Sequence, residues 1–132
     1  MPPDVLAIND PAVLAEVTAA FEAYEAALMA NDVDQLDRLF WASPHAVRYG
    51  VGENLYGVDE ILAFRKSRAG GSPQRRLTGT VITAFGNDFA TANTEFRREG
   101  DGRVGRQSHA WARLPDGWRI VAAHVSFKGE TS

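Results

Sequence analysis

Arg48 lies in the run His45-Ala46-Val47-Arg48-Tyr49-Gly50-Val51-Gly52, whose pattern is otherwise that of a buried strand. A guanidinium keeps its charge and is costly to bury alone, so this position calls for an anion, either a permanent partner or a visiting ligand. Glu53, across the Gly50-Val51-Gly52 bend, is the internal candidate; a small anionic ligand is the external one. Tyr24 is the second position of this kind. It occupies an apolar helix stripe where leucine would pack as well, and its hydroxyl needs a partner. Either it is a core tyrosine bonded to a backbone carbonyl, or its phenol points into a cavity as a hydrogen-bond or proton donor. His124 and Ser126 share one face of the last strand, and Gln107, His109 and Trp111 share one face of the strand before it, so either set can line a pocket. Tyr24 and Arg48 are thus the candidate catalytic pair. Trp41, Gln107, His109, His124 and Ser126 are the candidate substrate contacts.

Several chemistries are absent. The chain has no cysteine, which removes disulfides, thiolate nucleophiles and cysteine metal sites and points to the cytoplasm. Its three histidines are far apart in sequence, and Asp32, Asp34 and Asp37 fit the start and polar face of a helix better than a calcium loop, so neither metal nor cofactor is expected. No Gly-x-Ser-x-Gly, P-loop or strand-linked Gly-x-Gly-x-x-Gly occurs. A net charge of −3, with basic residues spread along the chain, gives no surface for nucleic acid. No stretch approaches the ~20 apolar residues of a membrane span.

The elements that must position these residues can be read in order. Asp10-Pro11 caps and starts a helix, and Leu14, Val17, Phe21, Tyr24 and Leu28 draw its buried stripe to near Ala30. Asp32 caps a short second helix with Val33, Leu36, Leu39 and Phe40 inward, ended by Ser43-Pro44. After the Arg48 strand and a brief return at Leu55-Tyr56, a third helix from Asp59 to Arg68 buries Ile61, Leu62 and Phe64, while Arg65 and Arg68 belong on its solvated face. From Gln74 onward, Gly86-Asn87-Asp88, Gly100-Asp101-Gly102 and Pro115-Asp116-Gly117 punctuate a four-stranded antiparallel meander. Glu95, Arg97, Arg98 and Glu99 form an exposed charge cluster towards a hairpin tip. The chain is therefore expected to be one α+β domain over residues 1–132, ordered from about 10 to 128, with a curved sheet against N-terminal helices. The last strand, Trp118 to Phe127, is largely apolar on both alternating sets. Helices cover one face and a second copy of the chain covers the other, which predicts a homodimer through the sheet.

The order of elements, the segment Val47-Arg48-Tyr49-Gly50-Val51-Gly52-Glu53, the pieces Asp88-Phe89-Ala90-Thr91-Ala92 and Gly105-Arg106-Gln107-Ser108, and the ending Gly117 to Ser126 together resemble the AtzH-like proteins of the nuclear transport factor 2-like (SnoaL-like, ketosteroid isomerase-like) superfamily. The resemblance covers nearly the whole chain and implies a cone-shaped α+β fold whose sheet curls around a pocket closed by the long helix. It further implies a place in bacterial catabolism of nitrogen compounds beside amidase-type enzymes, with conversion of 1,3-dicarboxyurea to allophanate as the activity, read as an amidase-type hydrolysis without metal. The family's tyrosine and arginine fall on Tyr24 and Arg48. His109 stands where the family pattern implies glutamine, a departure that bears on substrate preference if the side chain faces the pocket. Two other functions compete: a non-catalytic small-acid binder or accessory protein to a neighbouring amidase, and ketosteroid isomerase-like proton transfer, which needs an acidic base inside.

Overall fold

The computed structural model describes residues 6–129. Helix α1, Pro11–Ala30, begins as its sequence dictates: Asp10 Oδ1 accepts from the amides of Ala12 and Val13 at 3.0 and 3.3 Å, and Pro11 occupies the first turn, where no amide donor is missed. It ends at Asn31, whose left-handed conformation lets its amide bond back to the last carbonyls. Val13, Val17, Phe21, Tyr24, Ala27 and Leu28 are buried, while Leu14 is only half-buried. Helix α2, Val33–Leu39, is capped by Asp32 and buries Leu36 and Leu39.

The chain then forms β1, Val47–Tyr49, turns back as β2, Asn54–Tyr56, and enters α3, Val58–Ser67. The meander follows as β3, Arg75–Phe85, β4, Phe89–Arg98, β5, Gly105–Leu114, and β6, Gly117–Phe127. All six strands form one sheet in the order β2-β1-β6-β5-β4-β3. The sheet is not wholly antiparallel as expected from sequence, because β1 runs parallel to β6, with Arg48 beside Ala123 and Tyr49 beside His124. The long connection through α3 and the meander makes that parallel placement possible. At the far edge, Ile8 bridges to Phe85 and Asn9 exchanges hydrogen bonds with Ala84, so the chain before α1 covers part of β3.

One irregularity decides which side chains face inward. Ala110 pairs with Ala122 but Trp111 pairs with Ile120, leaving Val121 as an extra residue in β6. Strict alternation would put Trp118, Ile120, Ala122, His124 and Ser126 on one face. The bulge instead turns Trp118, Ile120, Ala123 and Val125 inward, all buried, and sends His124 and Ser126 outward. Inside, Val17, Leu36, Phe40, Trp111 and Ile120 are fully buried between helices and sheet and belong to one core cluster.

Candidate active site

The apolar stripe fixes the rotation of α1, so Tyr24 points at the inner face of the sheet and is 2% exposed. Its ring meets His109 edge-on, with centroids 4.9 Å apart and planes at 90°, and tilts against Phe40 at 6.2 Å. The phenol oxygen accepts a hydrogen bond from Arg65 Nη2 at 2.7 Å. A core tyrosine would ordinarily donate to a backbone carbonyl; here the hydroxyl is held by a cation, and its own proton has no acceptor among the described residues.

Arg48 enters the same space from β1, 6% exposed. Its Nη1 donates to Glu53 Oε1 at 3.0 Å across the bend, the internal pair that the sequence placed in competition with a ligand. The pair leaves much of the guanidinium available: Nε is buried without a partner, and the charge lies over the Phe64 ring at 5.2 Å. Gly50 makes the pair possible. A Cβ there would come 1.8 Å from Glu53 Oε1 and 3.1 Å from Arg48 Nη1.

Arg65, expected on the solvated side of α3, is 5% exposed. It follows Ile61 by one helical turn and therefore shares that residue's buried face, a spacing visible in the sequence but outweighed there by its charge. Its guanidinium lies 5.6 Å from the ring centroids of both Tyr24 and Phe40, and no carboxylate among the described residues lies within ion-pair distance. Arg75, also unassigned from sequence, is satisfied: it bonds both carboxylate oxygens of Glu25, at 3.0 and 2.6 Å, and Gln107 Oε1 at 2.8 Å, tying β3 to α1 and β5. Gln107 and His109 thus do face the interior with Tyr24 and Arg48.

Burial and the three interior guanidiniums together set the protonation of Tyr24 and His109. Burial pushes the Tyr24 phenol up, but Arg65, Arg48 and Arg75, together with the Arg65 hydrogen bond, bring it below its ordinary value. His109 is held down to about 3, by burial first and then by Arg75, Arg65 and Arg48, so its imidazole is neutral throughout the ordinary pH range. The half-buried glutamate partners are committed, Glu53 to Arg48 and Glu25 to Arg75. Among the described residues, no three His, Cys, Asp or Glu side chains group as metal ligands would.

The other candidates lie elsewhere. His124 is exposed and Ser126 half-exposed on the outer sheet face, where the Val121 bulge sends them; His124 packs edge-on to Tyr49 at 5.9 Å. Trp41 is half-buried after α2 with its ring 6.0 Å from His45, and takes no part in the contacts that join Tyr24, His109 and the arginines. Nor is the Arg98 region the simple exposed cluster expected from sequence. Arg98 lies over the rings of Phe96 and Phe127 at 5.6 and 5.0 Å, with its Nε buried.

The AtzH-like family model matches residues 6–131. Among solved structures, a protein of unknown function of the DUF3225 family from Pectobacterium atrosepticum is 53% identical, with a TM-score of 0.91 and 98% of each chain covered. A cystatin-like fold protein from Burkholderia xenovorans is 46% identical, with a TM-score of 0.91 over 96% of this chain and 99% of that one. A nuclear transport factor 2-like superfamily protein from Salmonella enterica is 25% identical, with a TM-score of 0.73 over 92% and 94% of the two chains. No functionally curated protein matches.

Proposed function

The chain belongs to the AtzH-like family and has the nuclear transport factor 2-like fold, and from that premise we propose that it is a small-molecule enzyme that cleaves a C–N bond in a carboxylated urea. The observation that carries this reading is Tyr24: a buried phenol held at its oxygen by Arg65, lowered in pKa by surrounding cations, with its proton unclaimed. Arg48 receives a substrate carboxylate on the side of its guanidinium that Glu53 leaves free. For a 1,3-dicarboxyurea-like dianion going to an allophanate-like product, the C–N bond to one terminal carboxylate breaks and its electron pair stays on nitrogen. That nitrogen takes the Tyr24 proton and the carboxylate carbon leaves as CO2. The phenolate, stabilised by Arg65, Arg48 and Arg75, recovers a proton from solvent.

This balance consumes no water, so the reading is a decarboxylating cleavage in place of the amidase-type hydrolysis expected from sequence. The interior also suits it. Hydrolysis calls for a base to activate water, and the carboxylates near Tyr24 are tied to arginines while His109, held at about 3, is a weak base. The same shortage of a free carboxylate weighs against isomerase-like proton abstraction. The test is product analysis: N-carboxylated ureas generated in solution are incubated with the protein, and CO2 and the shortened urea are followed by mass spectrometry. Tyr24→Phe and Arg48→Ala variants that fold normally and match the parent rate would overturn it; thermal stabilisation by small carboxylates without turnover would mark a binding protein.

The same reading pairs two copies of the chain through the outer sheet face. That face carries a shallow notch lined by Val47, Tyr49, Thr91, Ala110, Ala122 and His124, and it exposes Val81 and Phe89. A patch with no formally charged side chain, presented by regular strands, is suited to a two-fold contact with itself.

A further inference from the structure

Among the described residues, the buried side-chain polar atoms without a hydrogen-bond partner are all nitrogens: Arg48 Nε, Arg65 Nε, Arg98 Nε, Gln107 Nε2, His109 Nδ1 and Trp111 Nε1. Five of these six are obligate donors. Buried polar groups ordinarily find partners, so what the interior lacks is acceptors. Charge gives the same answer. Arg65, Arg48 and Arg75 all act on Tyr24, and Arg68 lies within electrostatic reach of Arg48 and Arg65 beside Phe64; of these four cations only Arg48 and Arg75 have a carboxylate partner among the described residues, which leaves two positive charges uncompensated.

We propose that Arg65 is a second ligand anchor, so that Arg48 and Arg65 between them select a small dianion, such as a short dicarboxylate, over a monoanion. This rests on the reading above that the interior takes a carboxylate at Arg48. Arg65 is the residue to which the second carboxylate belongs, because among the described residues its only hydrogen-bond partner is the Tyr24 phenol and its Nε is buried and unused. Nη2, which shares that edge, carries two N–H groups, so a carboxylate at Nε is compatible with the bond to Tyr24, and binding and orientation of the phenol proceed together.

The test is calorimetric titration of the parent protein at fixed ionic strength with malonate, succinate and glutarate against propionate and butyrate. At least one dicarboxylate is expected to bind about tenfold or more tightly than either monocarboxylate. Arg65→Gln is expected to bring the two classes within about twofold of each other, and Arg65→Lys to restore part of the difference. Equal binding of mono- and dicarboxylates by the parent, or an undiminished preference in Arg65→Gln, overturns the proposal. A crystal of the parent soaked in the preferred dicarboxylate gives a check that needs no variant: density on Arg48 that leaves Arg65 untouched also overturns it. Turnover without a dianion preference would sink this proposal and spare the decarboxylation; a dianion preference through Arg65 without CO2 release would do the reverse.

Discussion

Strands β5 and β6 present chemically unlike residues to their two sides. Inward they offer Gln107, His109 and Trp111, each with an unpartnered buried nitrogen, facing guanidiniums from β1, α3 and β3. Outward they offer Ser108, Ala110, Ala122, His124 and Ser126, where polar groups are either solvated or already bonded, as Ser108 is to Asn93 at 2.7 Å and Tyr49 to Tyr56 at 3.1 Å. The inner face lacks electrostatic partners, and the outer face lacks only apolar cover. A missing acceptor in a region removed from water is met by an anion; uncovered small and aromatic side chains are met by another protein surface. Substitutions on the two faces should therefore fail in different ways.

The largest effect is expected inside. Tyr24→Phe keeps the ring and its contact with His109 but removes the proton, and should lower turnover by about 10²- to 10⁴-fold with little change in fold, as read from single-turnover rates and circular dichroism. Ala122→Glu is the matching outer change. It places a charge in the notch and should convert a dimer to a monomer in analytical ultracentrifugation while the monomer keeps its thermal transition; a parent that sediments as a monomer would remove the outer half of the comparison.

Gly50→Ala tests the inner face through the backbone. Its Cβ displaces Glu53 from Arg48, and because Glu53 is partly solvated the cost should fall to about 1–3 kcal/mol, below the ~3–5 kcal/mol for breaking a fully buried pair, as measured by urea unfolding. His109→Gln separates burial from charge. The folded state holds His109 at about 3 against 6.5 for the unfolded chain, so the unfolded chain binds the extra proton between those values. His109 therefore makes stability fall as pH drops from about 6.5 towards 3 and contributes no pH dependence above that window. His109→Gln should flatten that part of the profile. The smallest effect belongs to His124→Ala, which should leave turnover within about twofold of the parent, because the side chain faces away from Tyr24.

Much of this arrangement is local and so was legible in the sequence. Asp10-Pro11 and Asn31 bound α1 through cap chemistry, and the Gly-containing turns delimit the meander. Arg48 and Glu53 meet because only a short bend separates them. The misses are long-range. Arg65 shares a helix face with Ile61, but the stability of a buried arginine there depends on Tyr24, 41 residues away in sequence. Parity groups His124 and Ser126 with Trp118 and Ile120, and parity fails wherever one strand carries an extra residue that its partner does not. The parallel pairing of β1 with β6 has no local signature, because it depends on how a connection of many residues returns the chain.

Val121 acts as a frameshift in the strand's alternation. Upstream of it, Trp118 and Ile120 are buried in the hydrophobic interior, Trp118 also donating its indole N–H to Glu16 Oε1 at 3.0 Å; downstream, Ala123 lies beside Arg48 of the neighbouring strand. The two halves of one strand are thereby released from a common periodicity, and substitutions in one place no demand on the other. Straightening the bulge with Val121 kept in the ladder would exchange the sides of everything after it, bringing an imidazole and a hydroxyl in among the arginines and turning Ala123 and Val125 out, whereas deleting Val121 would leave them on their present sides. The bulge at Val121, more than the identity of His124, decides which functional groups a bound anion would meet.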